Sequence, residues 1–328
     1  MQKAEILTAF ERSGGSLSLP ELLVAIDHAV PERTLRRWLS EWVAEGVLAR
    51  SGNRRSTRYR LPASAAEPEF AFLSGLSPSR RTALIHQLRD LWTYSSTAVE
   101  GNTLTLGDTH FVLEEGLTIS GKPVRDHQEV IGHARAIQIL YANLNRPAKP
   151  ESVFELHLAV QTDVVTDIYR PNGAWKVEPN GTYAVTGDER QVYIDYAHPR
   201  DVPGLMSEIL TVVNSEPEPP LTLDTAHEVY AKIHAGVAHT HPFWDGNGRI
   251  ARLLANTPVL RAGLPPIVIP KERRRTYLQL LADYELAVGT IDTVTGVWPK
   301  PDLLADFEAF CAECYEATKR LVREAHEG

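Results

Sequence analysis

Between residues 239 and 252 the chain reads His239-Thr240-His241-Pro242-Phe243-Trp244-Asp245-Gly246-Asn247-Gly248-Arg249-Ile250-Ala251-Arg252, and the rest of the sequence can be ordered around it. Helical apolar spacing precedes it (Val229, Tyr230, Ile233, Val237) and follows it (Ile250, Leu253, Leu254, Val259), so the string spans a loop between two helices. Gly246, Asn247 and Gly248 open the second helix and can turn successive N–H groups towards one point. Such a nest, reinforced by the positive end of the helix dipole, binds anions. Arg249 and Arg252, three residues apart on the first turn, can face the same polyphosphate. Asp245 can hold a Mg²⁺ that bridges phosphate oxygens. His241 can take a proton from an incoming hydroxyl. Phe243 reads as a core anchor of the loop.

Outward from this string the body is predicted to be helical. Leu84, Ile85, Leu88, Leu91 and Trp92 mark a helix that Ser79 opens and that runs towards Glu100 and a stop at Gly101. Thr105 and Asp108 form a capping pair for the next. Further helices are expected through Val130–Leu140, from Phe154 to about Ile168, and over 202–214, 225–238, 249–261, 273–288 and 303–325. Residues 175–196 differ: Tyr183-Ala184-Val185 and Val192-Tyr193-Ile194 are extended runs around a polar turn, hence a β-hairpin. No GxGxxG or Walker pattern is present, and a helical body with one hairpin leaves no room for a parallel nucleotide-binding sheet.

The first 62 residues stand apart. They carry ten basic and seven acidic residues, a net +3, against −8 for the whole chain. Three short helices are expected, opening at Ile6–Phe10, at Ser18 or Pro20, and at Pro31. A hairpin around Ser51-Gly52-Asn53 follows, with five arginines between Arg50 and Arg60. This pattern resembles a winged helix-turn-helix, whose recognition helix, the one that Pro31 opens, would enter a DNA major groove while wing arginines meet phosphates. A protein-binding or purely structural winged helix fits the same pattern.

The string His241 to Arg252 resembles the signature HxFx(D/E)GNGRxxR of Fic-domain proteins, matched without a departure, and the likeness extends over about residues 80–290. The fold implied is mainly α: a Fic-type helical core with a β-hairpin flap, preceded by a small winged-helix domain. The implied layout is a winged helix at 1–62, a linker at 63–78, a Fic domain at 79–290 and a C-terminal helix at 291–328. Members of this family mostly transfer AMP from ATP to a Ser, Thr or Tyr hydroxyl of a target protein. The resemblance makes His241 the base, Asp245 the Mg²⁺ ligand, and Gly246, Asn247 and Gly248 the anion hole. Arg249 and Arg252 would bind the β- and γ-phosphates, and Gly248, where a kinase-like branch has Lys, places the chain with the AMP-transferring branch. Tyr183, Ala184 and Val185 fall in the flap that docks the target by strand addition.

A second stretch, Ser96-Thr97-Ala98-Val99-Glu100-Gly101-Asn102, resembles the family's inhibitory motif (S/T)xxxE(G/N). Ser96 and Glu100 share one helix face. Glu100 lies in a last turn, where the dipole disfavours a carboxylate and calls for an external cation. The resemblance names Arg252, whose capture would autoinhibit the enzyme. Some relatives with this glutamate also remove AMP, so a reverse hydrolase is implied as well. A DNA-binding regulator whose Fic domain senses nucleotide or modifies itself is the alternative, and relatives are commonly homodimers.

Other signals are weaker. Cys311 and Cys314 form a lone CxxC in a helix and read as buried thiols. His234, His239 and His241 lack the spacing of a zinc motif. Tyr277 either lines an adenine pocket or packs in the core. Lys271–Arg275 reads as a solvated helix start. No apolar run approaches the ~18 residues of a membrane span, and no secretory leader is evident, so a cytoplasmic protein is expected.

Overall fold

The computed structural model describes residues 6, 10, 16–27, 29–44, 48–51, 57–60, 70–161, 167–185 and 190–327. The chain divides into two compact units, Met1–Pro68 and Glu69–Gly328.

In the first unit β1 (Ser16–Ser18) leads into α1 (Leu19–Ala25) and α2 (Glu32–Ala44), followed by β2 (Ala49–Ser51) and β3 (Arg58–Arg60). Ser18 caps α1 in a reciprocal box with Glu21. The hairpin strands β2 and β3 pair antiparallel, and β1, which the sequence did not reveal, pairs with β3 to give the order β1-β3-β2. Three residues of mixed polarity are too few for a period-2 signal. Leu22, Leu35, Leu39, Trp42 and Leu48 close a small core that also takes Ile6 and Phe10. The expected stops at Gly14-Gly15 and Gly46 and the wing tip at Gly52-Asn53 lie outside the described residues.

The second unit holds α3 (Pro78–Val99), α4 (Leu106–Glu115), α5 (Val124–Asn143), α6 (Pro150–Val160), the hairpin β4 (Gly181–Val185) and β5 (Gln191–Asp195), α7 (Val202–Val213), α8 (Ala226–Thr240), α9 (Asn247–Arg261), α10 (Arg274–Val288) and α11 (Ala305–Glu327). The fold is mainly helical. Ser77, not Ser79, caps α3, because Pro78 sits at the first helical position, where its missing N–H costs nothing. Thr105 and Asp108 close the expected capping box. Helix α6 ends at Val160, short of Ile168, as Gln161 turns to extended backbone; residues 162–166 lie outside the described ones.

Helices α8 and α9 are buried on almost every side, from Tyr230 to Thr240 and from Arg249 to Leu260, so they form the centre of the unit. Two expected boundaries move. Phe70, Phe72, Leu73 and Leu76, placed in the linker by the sequence, are buried in this core. The C-terminal helix, set apart at 291–328, packs Phe307, Phe310, Cys311 and Tyr315 into the same core. Both cysteines are free and buried, and burial pushes their thiol pKa values up, which leaves the thiols inert. Among the described residues no helix is long and apolar enough to cross a membrane.

Candidate active site

The loop between α8 and α9 is built from its apolar anchor. Phe243 is fully buried, its ring stacked on His157 at 3.8 Å and packed against Trp175. The Asn247 side chain clasps this residue from both ends, accepting from the Phe243 N–H and donating to the Phe243 carbonyl, each at 2.9 Å. His157 supports the next turn: it accepts the Gly173 N–H at Nδ1, so Nε2 carries the proton and donates to the Asp245 carbonyl at 3.1 Å. Gly246 has φ +80°, a conformation side chains rarely adopt, and it caps α9. The first intrahelical N–H bond runs from Ile250 to the Gly246 carbonyl. The N–H groups of Asn247, Gly248 and Arg249 in the first turn, the candidate cradle, therefore have no intrahelical acceptor.

His241 ends α8 in the left-handed region, φ +49°, an unusual place for a residue with a Cβ. Its Nδ1 donates to the Ala238 carbonyl at 3.2 Å, which leaves Nε2 bearing a lone pair. The ring lies flat on Tyr196, 3.7 Å between centroids. Burial pushes its pKa down to about 3, further lowered by the Lys176 charge and opposed by the Ala238 bond and by Asp245. The imidazole is neutral at physiological pH, as a proton acceptor must be.

The two arginines take different partners. Arg249 is buried and donates to the Val160 carbonyl (2.8 Å) and to the Asp245 carboxylate (3.2 Å), beside Gly246. Arg252, 1% exposed, lies beside Gly248. It donates from Nε to Ser96 Oγ (3.0 Å), and from Nη2 to the Ser96 carbonyl (2.9 Å) and Glu100 Oε1 (2.6 Å). Nη1 donates to the Tyr277 hydroxyl at 3.1 Å, and that hydroxyl donates in turn to Nε2 of buried His234, also at 3.1 Å. The two guanidinium groups thus border the same glycine turn, Arg249 beside Gly246 and Arg252 beside Gly248. Each was taken from its position on the turn, whereas its aim is set by acceptors on α3 and α6.

Ser96 and Glu100 share a face as expected, and both reach Arg252. Glu100 also stands over the cradle: a Cβ at Gly248 would meet its Oε1 at 2.5 Å. The carboxylate leaves the unfavourable end of α3 and occupies the favourable end of α9. Tyr277 is buried against Arg252 and is a core and positioning residue here.

In the hairpin, Tyr183 pairs with Tyr193, Ala184 with Val192 and Val185 with Gln191. Ala184 and Ile194 are buried, while Tyr183 and Tyr193 lie exposed on the other face, 5.0 Å apart. The polar turn at 186–189 lies outside the described residues. The sequence missed His157, Lys176, Asn180 and Tyr196. They reach the loop only through tertiary contact, and no local spacing marks them.

A helical body whose central helix pair holds a histidine beside a glycine-led helix start is distinct from P-loop and Rossmann folds. The chain matches the Fic/DOC family over residues 147–259. It is 35% identical over 202 residues to the protein adenylyltransferase fic-1 of Caenorhabditis elegans, covering 60% of this chain and 37% of that one. Over 199 residues it is 35% identical to the protein adenylyltransferase Fic of Drosophila erecta, covering 57% and 35%. The chain thus spans little more than a third of the curated relatives it matches. Its structure superposes on a Fic-domain-containing signaling protein of Bacteroides thetaiotaomicron with a TM-score of 0.67 at 28% identity, covering 78% of this chain and 93% of that one.

Proposed function

We propose that this chain transfers AMP from ATP to a hydroxyl side chain of a target protein, itself included, and that Glu100 autoinhibits it. One observation carries this reading: the Glu100 carboxylate fills the anion position over Gly248 and takes the hydrogen bond of Arg252 that a phosphate would use. In the released state Arg252 binds the terminal phosphates, and the N–H groups of the Gly246–Gly248 turn hold phosphate oxygens. His241 Nε2 takes the proton of the target hydroxyl, whose oxygen attacks the α-phosphorus. The bond to the bridging oxygen breaks and pyrophosphate leaves with the electron pair. This is positioning and charge stabilisation more than covalent work by the protein. Asp245 fits a Mg²⁺, since its carboxylate is 58% exposed at the lip of the cradle. The metal would neutralise charge developing on the phosphates. Arg249, already paired with Asp245, would align that carboxylate and reach the β-phosphate only by exchanging it. Tyr183, Ala184 and Val185 belong to the strand that pairs with the target segment. The same histidine and cradle support removal of AMP when Glu100 activates water.

The test is transfer of label from ATP carrying ³²P at either the α- or the γ-position. Incorporation from the α-position alone supports AMP transfer, and incorporation from the γ-position alone removes it.

A second reading concerns residues 1–62 as a winged helix that binds DNA, which would make the protein a cytoplasmic, dimeric regulator. Its support is the helix α2 followed by an antiparallel hairpin rich in arginine. Arg36 pairs with Glu32, Arg37 with Glu41 and Arg58 with Glu21, which lowers the charge offered to phosphates. Salt-dependent retardation of duplex DNA by the full chain tests it, and no retardation at low salt removes it.

A further inference from the structure

Three cations lie around the cradle, and two have carboxylates: Arg249 holds Asp245 and Arg252 holds Glu100. The third is Lys176, in the loop ahead of β4. It is 2% exposed, yet among the described residues its ammonium has no carboxylate partner. Its hydrogen bond goes to a neutral acceptor, Asn180 Oδ1, at 2.6 Å. A buried ammonium without a counter-ion is costly, and burial alone pushes this one down to about 8.

The position of Lys176 says which anion it awaits. Its N–H donates to the Pro242 carbonyl at 2.9 Å, one residue past His241. Its ammonium lies 5.9 Å from the centre of the Tyr196 ring, on which His241 is stacked. Asn180, its partner, donates to the Phe243 carbonyl at 3.2 Å, the same carbonyl that Asn247 holds. Lys176 is therefore tied to the histidine end of the cradle, whereas Arg252 stands at the Gly248 end.

We infer that Lys176 is a ligand of the phosphate that is transferred, an additional catalytic residue at the α-position of the nucleotide. The inference rests on the AMP-transfer reading: with Arg252 on the terminal phosphates, the phosphorus beside His241 is the innermost one. In the step, the target oxygen bonds to the α-phosphorus, pyrophosphate departs with the electron pair of the broken P–O bond, and the hydroxyl proton passes to His241 Nε2. Lys176 keeps its protons and donates one hydrogen bond to a non-bridging oxygen, where charge accumulates.

The experiment uses the full chain carrying Glu100→Gly, with Lys176→Met and Lys176→Arg added separately, each checked by its thermal midpoint. AMP and adenosine are titrated calorimetrically, because they differ only in the α-phosphate; label transfer from α-³²P ATP is measured in parallel. Lys176→Met is expected to lower the preference for AMP over adenosine at least tenfold and to slow transfer about a hundredfold, the effect of losing one such donor. Lys176→Arg, which keeps the charge, restores most of the AMP preference. An AMP-to-adenosine ratio unchanged by Lys176→Met overturns the inference. If transfer then still falls, the lysine meets the target instead, and if it does not, the lysine is structural. Should no variant transfer label, the AMP-transfer reading fails, while the two titrations still decide whether Lys176 binds the phosphate.

Discussion

Glu100 Oε1 lies 2.6 Å from Arg252 Nη2, and the same oxygen fills the space above Gly248. One carboxylate therefore occupies both the cation and the amide cradle that the proposed triphosphate needs. Arg252 is buried but Glu100 is 41% exposed, so the pair sits between the strong buried and weak surface regimes. A net worth of about 1–2 kcal/mol corresponds to roughly a tenfold bias in an equilibrium. Glu100→Gly is expected to raise label transfer by about that factor, read as initial rates at fixed ATP. An unchanged or reduced rate means that the contact does not restrain the site.

Tyr277→Phe removes the acceptor of Arg252 Nη1 and leaves a buried charged donor unpaired. Hydrogen bonds to charged groups are worth about 1.5–3 kcal/mol, so ATP affinity in the Glu100→Gly protein should fall by about tenfold or more. Adenosine affinity should not change, because Tyr277 holds Arg252. Equal loss of both would mean that Tyr277 touches the base.

Asp245→Asn keeps the size of the side chain and removes its charge. The variant should need several times more Mg²⁺ for half-maximal transfer, measured by titrating the metal at constant ATP. Identical Mg²⁺ dependence for both proteins would place the metal ligand elsewhere.

Acid should destabilise this fold early. Burial lowers the pKa of His133 and His234 well below the usual value, and that of His157 and His239 to about 4. Unfolded, each titrates near 6.5 and binds a proton that the folded state refuses. Stability from these groups is complete above pH 6.5 and is lost as pH falls towards 4, at up to about 1.4 kcal/mol per pH unit for each. Glu285 opposes them. Burial raises its pKa to about 8, so its contribution is present at low pH and is lost as pH rises from the ordinary carboxylate range to about 8. The urea midpoint should drop clearly between pH 7 and pH 5, and Glu285→Gln should steepen the drop. A flat profile over this window contradicts neutral, buried imidazoles.

Much of this was legible because it is local. The apolar spacing around residues 229–259 gives the central helix pair, and the glycines between them give the cradle and its free N–H groups. The i,i+4 relation puts Ser96 and Glu100 on one helix face, the resemblance names Arg252 as the partner of Glu100, and the bond from Arg252 to Ser96 comes from the packed fold. The loop anchor Phe243 was legible too, but its support was not, since His157 lies 88 residues from the carbonyl it holds. The aim of Arg249 was missed for a related reason: a long side chain follows its acceptors, and the Val160 carbonyl is invisible from the motif. Strand β1 is three residues long and forms only because β3 is there to pair with it. Lys176 carries no local mark; its interest comes from burial without a counter-ion among the described residues, which only the packed fold displays.

Incorporation of α-³²P label by three forms of the full chain reaches the heart of this account. The unaltered protein should label weakly, Glu100→Gly strongly, and Glu100→Gly with His241→Ala not at all, although that last form still binds ATP. Equal labelling with and without His241 would contradict it.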